Sequence, residues 1–170
     1  MKVKELMSTR LRNCRPDTDL AAAAMLMWDG DCGILPVEDP QGKICGVITD
    51  RDVCMAVGTK HRRAEEIQVK EVLNGQLFTC RPDNTVQEAL EIMVEHQVRR
   101  IPVLDRSGKL KGIFSVNDAI LFSENGKGRK GPNQFSQSVL TALQGICKHR
   151  DIPAPARVRK ASGMRLVRQR

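Results

Sequence analysis

The chain has no tyrosine, one tryptophan (Trp28) and four phenylalanines. With so few rings, a packed interior has to be built from Leu, Ile, Val, Met and Ala. No apolar run approaches the ~20 residues of a membrane-spanning helix. The opening stretch "MKVKELMSTRLRNCRPD" carries basic residues without an apolar centre. We therefore expect neither a secretory signal nor a membrane span, and a cytoplasmic location.

The metal and enzyme signatures are also missing. The six cysteines stand at 14, 32, 45, 54, 80 and 147, with no C-x-x-C pair among them. Only three histidines are present, and a zinc site would normally show close ligand pairs. We expect reduced thiols that act as small core fillers, and no metal. There is no G-x-S-x-G, no H-E-x-x-H and no P-loop. His61 sits in a connector, His96 late in a helix and His149 in the tail. All three read as surface residues, and no catalytic residue and no enzyme activity are expected.

What the chain does have is a repeat. Its 170 residues suffice for one or two small domains. Shifting the sequence by 66 aligns residues 1–56 with 67–122 without a gap. Val3-Lys4-Glu5 meets Val69-Lys70-Glu71, and Cys14-Arg15-Pro16-Asp17 meets Cys80-Arg81-Pro82-Asp83. Pro36-Val37 meets Pro102-Val103, Gly46 meets Gly112, and Asp52 meets Asp118. Identities scattered over glycines, prolines and apolar positions indicate two copies of one folding unit. Each copy reads as β-α-β-β-α. A short extended piece ("LFTC", 77–80) precedes Arg-Pro-Asp, where the proline bars helix at the residue before it. Asp17, Thr18 or Asp19 can cap the next helix in the first copy, and Asp83, Asn84 or Thr85 in the second. A hairpin follows, "GILPV" with "ICGVI" and "RRIPVL" with "LKGIF", and then a last helix.

Charge divides the chain elsewhere. Residues 1–122 hold 17 Lys+Arg and 18 Asp+Glu, net −1, whereas residues 123–170 hold 11 and 2, net +9. We expect domains at 1–57 and 69–122, a connector at 58–68, and a basic extension at 123–170. That extension holds an amphipathic helix at 135–149 with Val139, Leu143 and Ile146 on one side. The glycine-rich stretch before it predicts an extension separable from the two copies, whose helix docks that side on the module or on a partner, and residues 152–170 have the composition of an unpacked segment. A basic segment of this kind suits nucleic acid or another polyanion, although residues 157–170 carry no aromatic for base stacking.

The most informative stretch is "GVITDRDV", matched by "GIFSVNDA". Each places a hydroxyl (Thr49, Ser115) three residues before a carboxylate (Asp52, Asp118), where a strand becomes a helix. Helix capping alone explains such a pattern. A second use is chemical. A helix N-terminus seats anions, a hydroxyl adds a donor to a phosphate, and a carboxylate accepts hydrogen bonds from a ribose diol. Pro36 and Pro102 lack an N–H, which suggests a sheet edge where an adenine can meet backbone or wedge between apolar side chains.

Two such copies, with "LPVEDPQGKICGVITDRD" and "IPVLDRSGKLKGIFSVND", resemble a tandem pair of CBS (cystathionine-β-synthase-type) domains, a Bateman module, over roughly residues 1–122. The resemblance implies an α+β (mixed α/β) fold of two repeats packed about a pseudo-twofold axis. It also implies a regulatory module, with an adenosine-containing ligand between the copies. AMP, ADP or ATP is the leading class, with S-adenosylmethionine or NADH as other possibilities. Thr49 and Ser115 would touch phosphate, and Asp52 and Asp118 would hold ribose. Leu35-Pro36 and Ile101-Pro102 would line the clefts. Arg99 and Arg100 resemble phosphate-reaching positions, while Arg51 can serve as a ligand or stay solvated. The first copy has Gly33-Ile34 where the second has the two arginines, so the second cleft should bind more tightly. A homodimer is expected through apolar residues of the final helices (Val53, Met55, Ala56, Ala119, Ile120, Leu121), together with a regulated partner protein. The alternative is polyanion binding through the tail, with the pair as a ligand-free dimerisation scaffold.

Overall fold

The computed structural model describes residues 1–73, 75–124 and 134–148. In the first copy α1 (Leu20–Asp29) leads to β1 (Ile34–Glu38), β2 (Ile44–Thr49) and α2 (Asp50–Lys60). In the second, α3 (Val86–His96) leads to β3 (Arg100–Leu104), β4 (Leu110–Ser115) and α4 (Val116–Glu124). A final helix, α5 (Gln134–Cys147), follows. Asp19 caps α1, and Thr85 caps α3 in a capping box with Glu88. Among the described residues no helix is long and apolar enough to cross a membrane. The basic segment 149–170 lies outside the described residues.

The hairpins keep the 66-residue register. Ile34 pairs with Thr49 and Arg100 with Ser115, and each first strand carries a bulge after its valine, Val37 or Val103. The turns use Gly42 and Gly108 at φ +77° and +83°, a region that favours glycine. The extended piece expected before each helix shrinks to a single bridge, Cys14 to Val37 and Cys80 to Val103. The cysteine N–H donates to the carbonyl of Pro36 or Pro102, 3.1 Å in both copies. These carbonyls are therefore taken, which corrects the expectation of a free edge beside the prolines.

The two copies exchange their leading segments. Val3 N–H donates to Asn84 O at 2.9 Å, Lys4 N–H to Pro82 O at 3.0 Å, and Val86 N–H to Met1 O at 3.3 Å. Val69, Lys70 and Leu20 repeat this in reverse, bonding Thr18 O (2.8 Å), Pro16 O (2.9 Å) and Ile67 O (2.9 Å). The apolar side chains follow. Val3 is fully buried in the second core beside Leu90, Met93, Ile101 and Phe114. Ile67 and Val69 are fully buried in the first, beside Leu20, Leu35 and Ile48. Ile67, which lies in the expected connector, thus belongs to a core. Burial pushes the thiols of Cys14 and Cys80 up to about 11 and 12, but only these two are core filler: Cys45, Cys54 and Cys147 are exposed, which corrects the expectation for the six together.

Helix α5 is not a separable tail. Val139, Ala142 and Ile146 are buried in the second core, Leu143 packs against it, and Phe122 meets Phe135 edge to face at 5.6 Å. Gly145 lies so close to α3 that an added Cβ would stand 2.7 Å from Val94 Cγ1. The amphipathic period of α5 is as expected. Of the two expected docking places α5 uses the module, and what speaks against a separable extension is that its apolar side fills the surface left open by α3 and α4.

Candidate functional site

Each strand-to-helix turn is closed by its own cap. The Thr49 N–H and hydroxyl both donate to Asp52 Oδ2, at 2.9 and 2.7 Å, and the Asp52 N–H donates to Thr49 Oγ1 at 3.2 Å. Ser115 and Asp118 repeat the arrangement at 2.8, 2.6 and 3.3 Å. Capping is thus built into both turns. It uses one oxygen of each carboxylate. Among the described residues no hydrogen bond engages the Oδ1 of Asp52 or Asp118, and both residues are half-buried. A ligand hydroxyl can add to this oxygen without breaking the cap.

A cleft of about 490 Å³ is lined by Arg10, Leu11, Arg12, Asp29, Gly30, Cys32, Ile34 and Ile113. Side chains alternate across a strand, so Ile113 and Ser115 share one face of β4. The cleft therefore opens on the face of β4 that Ser115 shares, two residues before the Ser115–Asp118 turn, although neither Ser115 nor Asp118 is among its lining residues. Its opposite wall comes from the first copy, and its end from the exchanged leading segment, whose Ser8 pairs in both directions with Ile113 (2.9 and 3.0 Å). Space of this size suits a small-molecule ligand. The arginines at its end escaped the sequence reading. Their spacing, one residue apart in "TRLRN", was a visible signal for two cations on one side of an extended segment.

A second groove of about 530 Å³ runs between α1 and α2, lined by Met27, Trp28, Asp31, Gly33, Asp50 and Arg100, among others. The guanidinium of Arg100 stands here. Its Nη1 is 3.2 Å, and Asp50 Oδ2 is 2.7 Å, from where a Cβ on Gly33 would sit. Arg100 therefore lies between the copies beside Gly33 and Asp50, and is not among the residues that line the cleft of about 490 Å³. Backbone pairing with Ser115 fixes its strand position, but the side chain extends across to the other copy. Arg99 is exposed, and its carbonyl accepts from Val116 N–H at 3.0 Å. Arg51 is exposed as well. Leu35 and Ile101 point into the two cores, fully or almost fully buried, so their side chains cannot wall a ligand cleft. Pro36 and Pro102 are buried beside them.

His96, read as a plain surface residue, is half-buried and stacks on Phe78 with centroids 3.7 Å apart and planes within 7°. Among the described residues no group of three or more His, Cys, Asp or Glu is placed to hold a metal ion.

Comparison with known proteins agrees with this architecture. The CBS domain family model matches twice, at residues 3–59 and 69–125. The CBS domain-containing protein YhcV of Bacillus subtilis is 33% identical over 116 residues, covering 68% of this chain and 81% of that one. The inosine-5'-monophosphate dehydrogenase of Methanocaldococcus jannaschii is 29% identical over 119 residues, 70% of this chain but 23% of that enzyme. Among solved structures, the CBS domain pair of protein MJ0100, in complex with 5'-methylthioadenosine and S-adenosyl-L-methionine, superposes with a TM-score of 0.66 at 22% identity. That match covers 73% of this chain and 97% of the other. With a gapless repeat, two hairpins in one register and both copies matched by the family model, the chain belongs to the CBS domain family and carries a tandem pair of its domains.

Proposed function

We propose that this chain is a regulatory module that binds an adenosine-containing ligand of the AMP, ADP or ATP class and relays its occupancy to a partner protein. The cleft beside the Ser115–Asp118 turn carries the proposal. It joins both copies and the leading segment, and the turn that begins two residues past its Ile113 carries a carboxylate with an oxygen to spare. The pair of protein MJ0100, of the same fold, takes adenosine compounds. Calorimetry against AMP, ADP, ATP, S-adenosylmethionine and NADH tests this directly. Absence of heat with all five at millimolar concentration would sink it.

Asp118→Asn separates the cap from the ligand. The amide oxygen can keep both bonds from Ser115, while the amine replaces Oδ1 by a donor. Stability should change by less than about 0.5 kcal/mol, as for a surface substitution. Ribose binding should weaken by about 1–3 kcal/mol, the usual loss with a charged hydrogen bond. Equal affinity of the variant and the parent would exclude Asp118 from the site.

We also place a homodimer contact on the first copy. Trp28 is 83% exposed, Met25 58% and Met55 54%, all on α1 and α2. The matching helices α3 and α4 are covered by α5, so the two copies cannot contribute alike. Of the residues expected at the contact, Met55 and Leu121 are exposed, but Ala56 and Ala119 are buried. Trp28→Asp should shift the mass in light scattering from a dimer to one 19.0 kDa chain. A parent already at that mass would refute the contact.

A further inference from the structure

The two copies differ most where their leading segments meet the helix–strand loops. In the cleft beside Ser115 and Asp118 these positions are Arg10, Arg12, Asp29 and Gly30. A shift of 66 residues converts them to Gln76, Phe78, Glu95 and His96. The arginine pair thus has no counterpart in the other copy. The geometry differs too. The Arg12 stem lies along Gly30, where a Cβ would stand 2.7 Å from its Cδ, and its Nη2 donates to the Asp29 carbonyl at 3.3 Å. At the matching place in the other copy, the Phe78 ring covers the His96 ring.

Two guanidinium groups stand beside one carboxylate, Asp29, at this end of the cleft, so the end formed by the leading segment is locally positive while Asp118 places a carboxylate beyond it. Among the described residues neither Arg10 nor Arg12 forms a salt bridge, so both groups can turn to a ligand. Arginine presents a planar fork of donors that matches phosphate, and charge-assisted bonds of this kind are about twice as strong as neutral ones. The Gly30 backbone lets Arg12 lie flat at the cleft's end, where any side chain would displace it.

We infer that the Ser115–Asp118 cleft selects ligands by charge, with Arg10 and Arg12 as its phosphate receptors, so that it takes phosphorylated adenosine compounds in preference to uncharged or cationic ones. This rests on the adenosine reading above and adds to it the residues that set ligand class. Charge selection then belongs to the leading segment and not to Arg99 and Arg100, the pair that stands out in the sequence.

Calorimetry on the full chain, with ATP, 5'-methylthioadenosine and inorganic tripolyphosphate as probes, tests it in the parent, in R10Q/R12Q and in R12K. The parent should bind ATP at least tenfold more tightly than methylthioadenosine, with the advantage shrinking as salt rises. R10Q/R12Q should lose tenfold or more for ATP and less than twofold for methylthioadenosine, with an unchanged melting temperature. R12K, which keeps the charge but not the fork, should fall between the parent and the double variant for ATP. Tripolyphosphate should show a component of binding in the parent that the double variant lacks, the basic tail being the same in both. Equal losses for ATP and methylthioadenosine, or no loss for either, overturn the inference and leave the adenosine reading standing. Arginine-dependent binding of tripolyphosphate without binding of any adenosine compound overturns the adenosine reading and the ligand preference drawn from it, and leaves only Arg10 and Arg12 as phosphate receptors. No arginine-dependent binding of any probe overturns the inference in every case.

Discussion

A chain cut after Ser123 is expected to lose about 4–6 kcal/mol of stability, enough to unfold its second copy. Helix α5 brings Val139, Ala142 and Ile146 into a core shared with Leu90, Met93 and Phe114. Burying one Val- or Ile-sized side chain contributes about 1.5–3 kcal/mol, and removing the helix also exposes the α3 and α4 surfaces beneath it. Against a total stability of about 5–15 kcal/mol, such a loss is decisive. Urea unfolding would show it as a lower midpoint, or as two transitions where the parent has one. A chain ending at residue 149 should match the parent. Ile146→Ala in the full chain should cost about 2–5 kcal/mol, the range for buried aliphatic truncations. Identical midpoints for the parent and the shortened chain would restore the tail as an independent segment.

Gly112→Ala should cost far more than Gly46→Ala, although the two glycines are equivalent in the repeat. A methyl at Gly112 would stand 2.5 Å from Met7 Sδ and 3.0 Å from Ser8 O. The methionine end can swing away. The Ser8 carbonyl cannot, because it accepts the Ile113 N–H at 3.0 Å. The leading segment would have to lift off β4, so a loss of about 1–3 kcal/mol, the usual range for overpacking, is expected. At Gly46 the nearest atoms are the side-chain ends of Leu73, the closest at 3.1 Å, which can give way. Less than about 1 kcal/mol should go there. Denaturation midpoints of the two variants decide the matter, and equal losses would mean that the leading segment does not hold Gly112 closely.

These glycines show what the sequence can and cannot tell. The 66-residue register, the hairpins, the caps and the period of α5 were all legible, because each depends on local chemistry. The exchange of leading segments was not. Val3 and Val69 stand in nearly identical surroundings, so no pattern reveals whether each packs on its own copy or on the other. The same blindness left open which copy Arg100 faces: its strand belongs to one and its charge lies against the other. It also hid Arg10 and Arg12, which line a cleft only because their segment crosses over. The capping role of Thr49 and Ser115 was open from the start, and the structure shows it directly. The additional, ligand-binding role rests on the spare carboxylate oxygen, which no sequence pattern displays.

The crossing segments also impose an order on the chain as it is synthesised. Every residue of the first core lies between Cys14 and Leu73, so that core can close once the second leading segment has emerged. The second core runs from Val3 to Ile146 and needs both. Val3 must wait for the β4 and α5 residues that share its core. Contacts this distant in sequence form late and slowly. Until then the leading segment, with Val3 set among charged residues, stays unpacked beside a finished first half, available to chaperones or to a neighbouring chain.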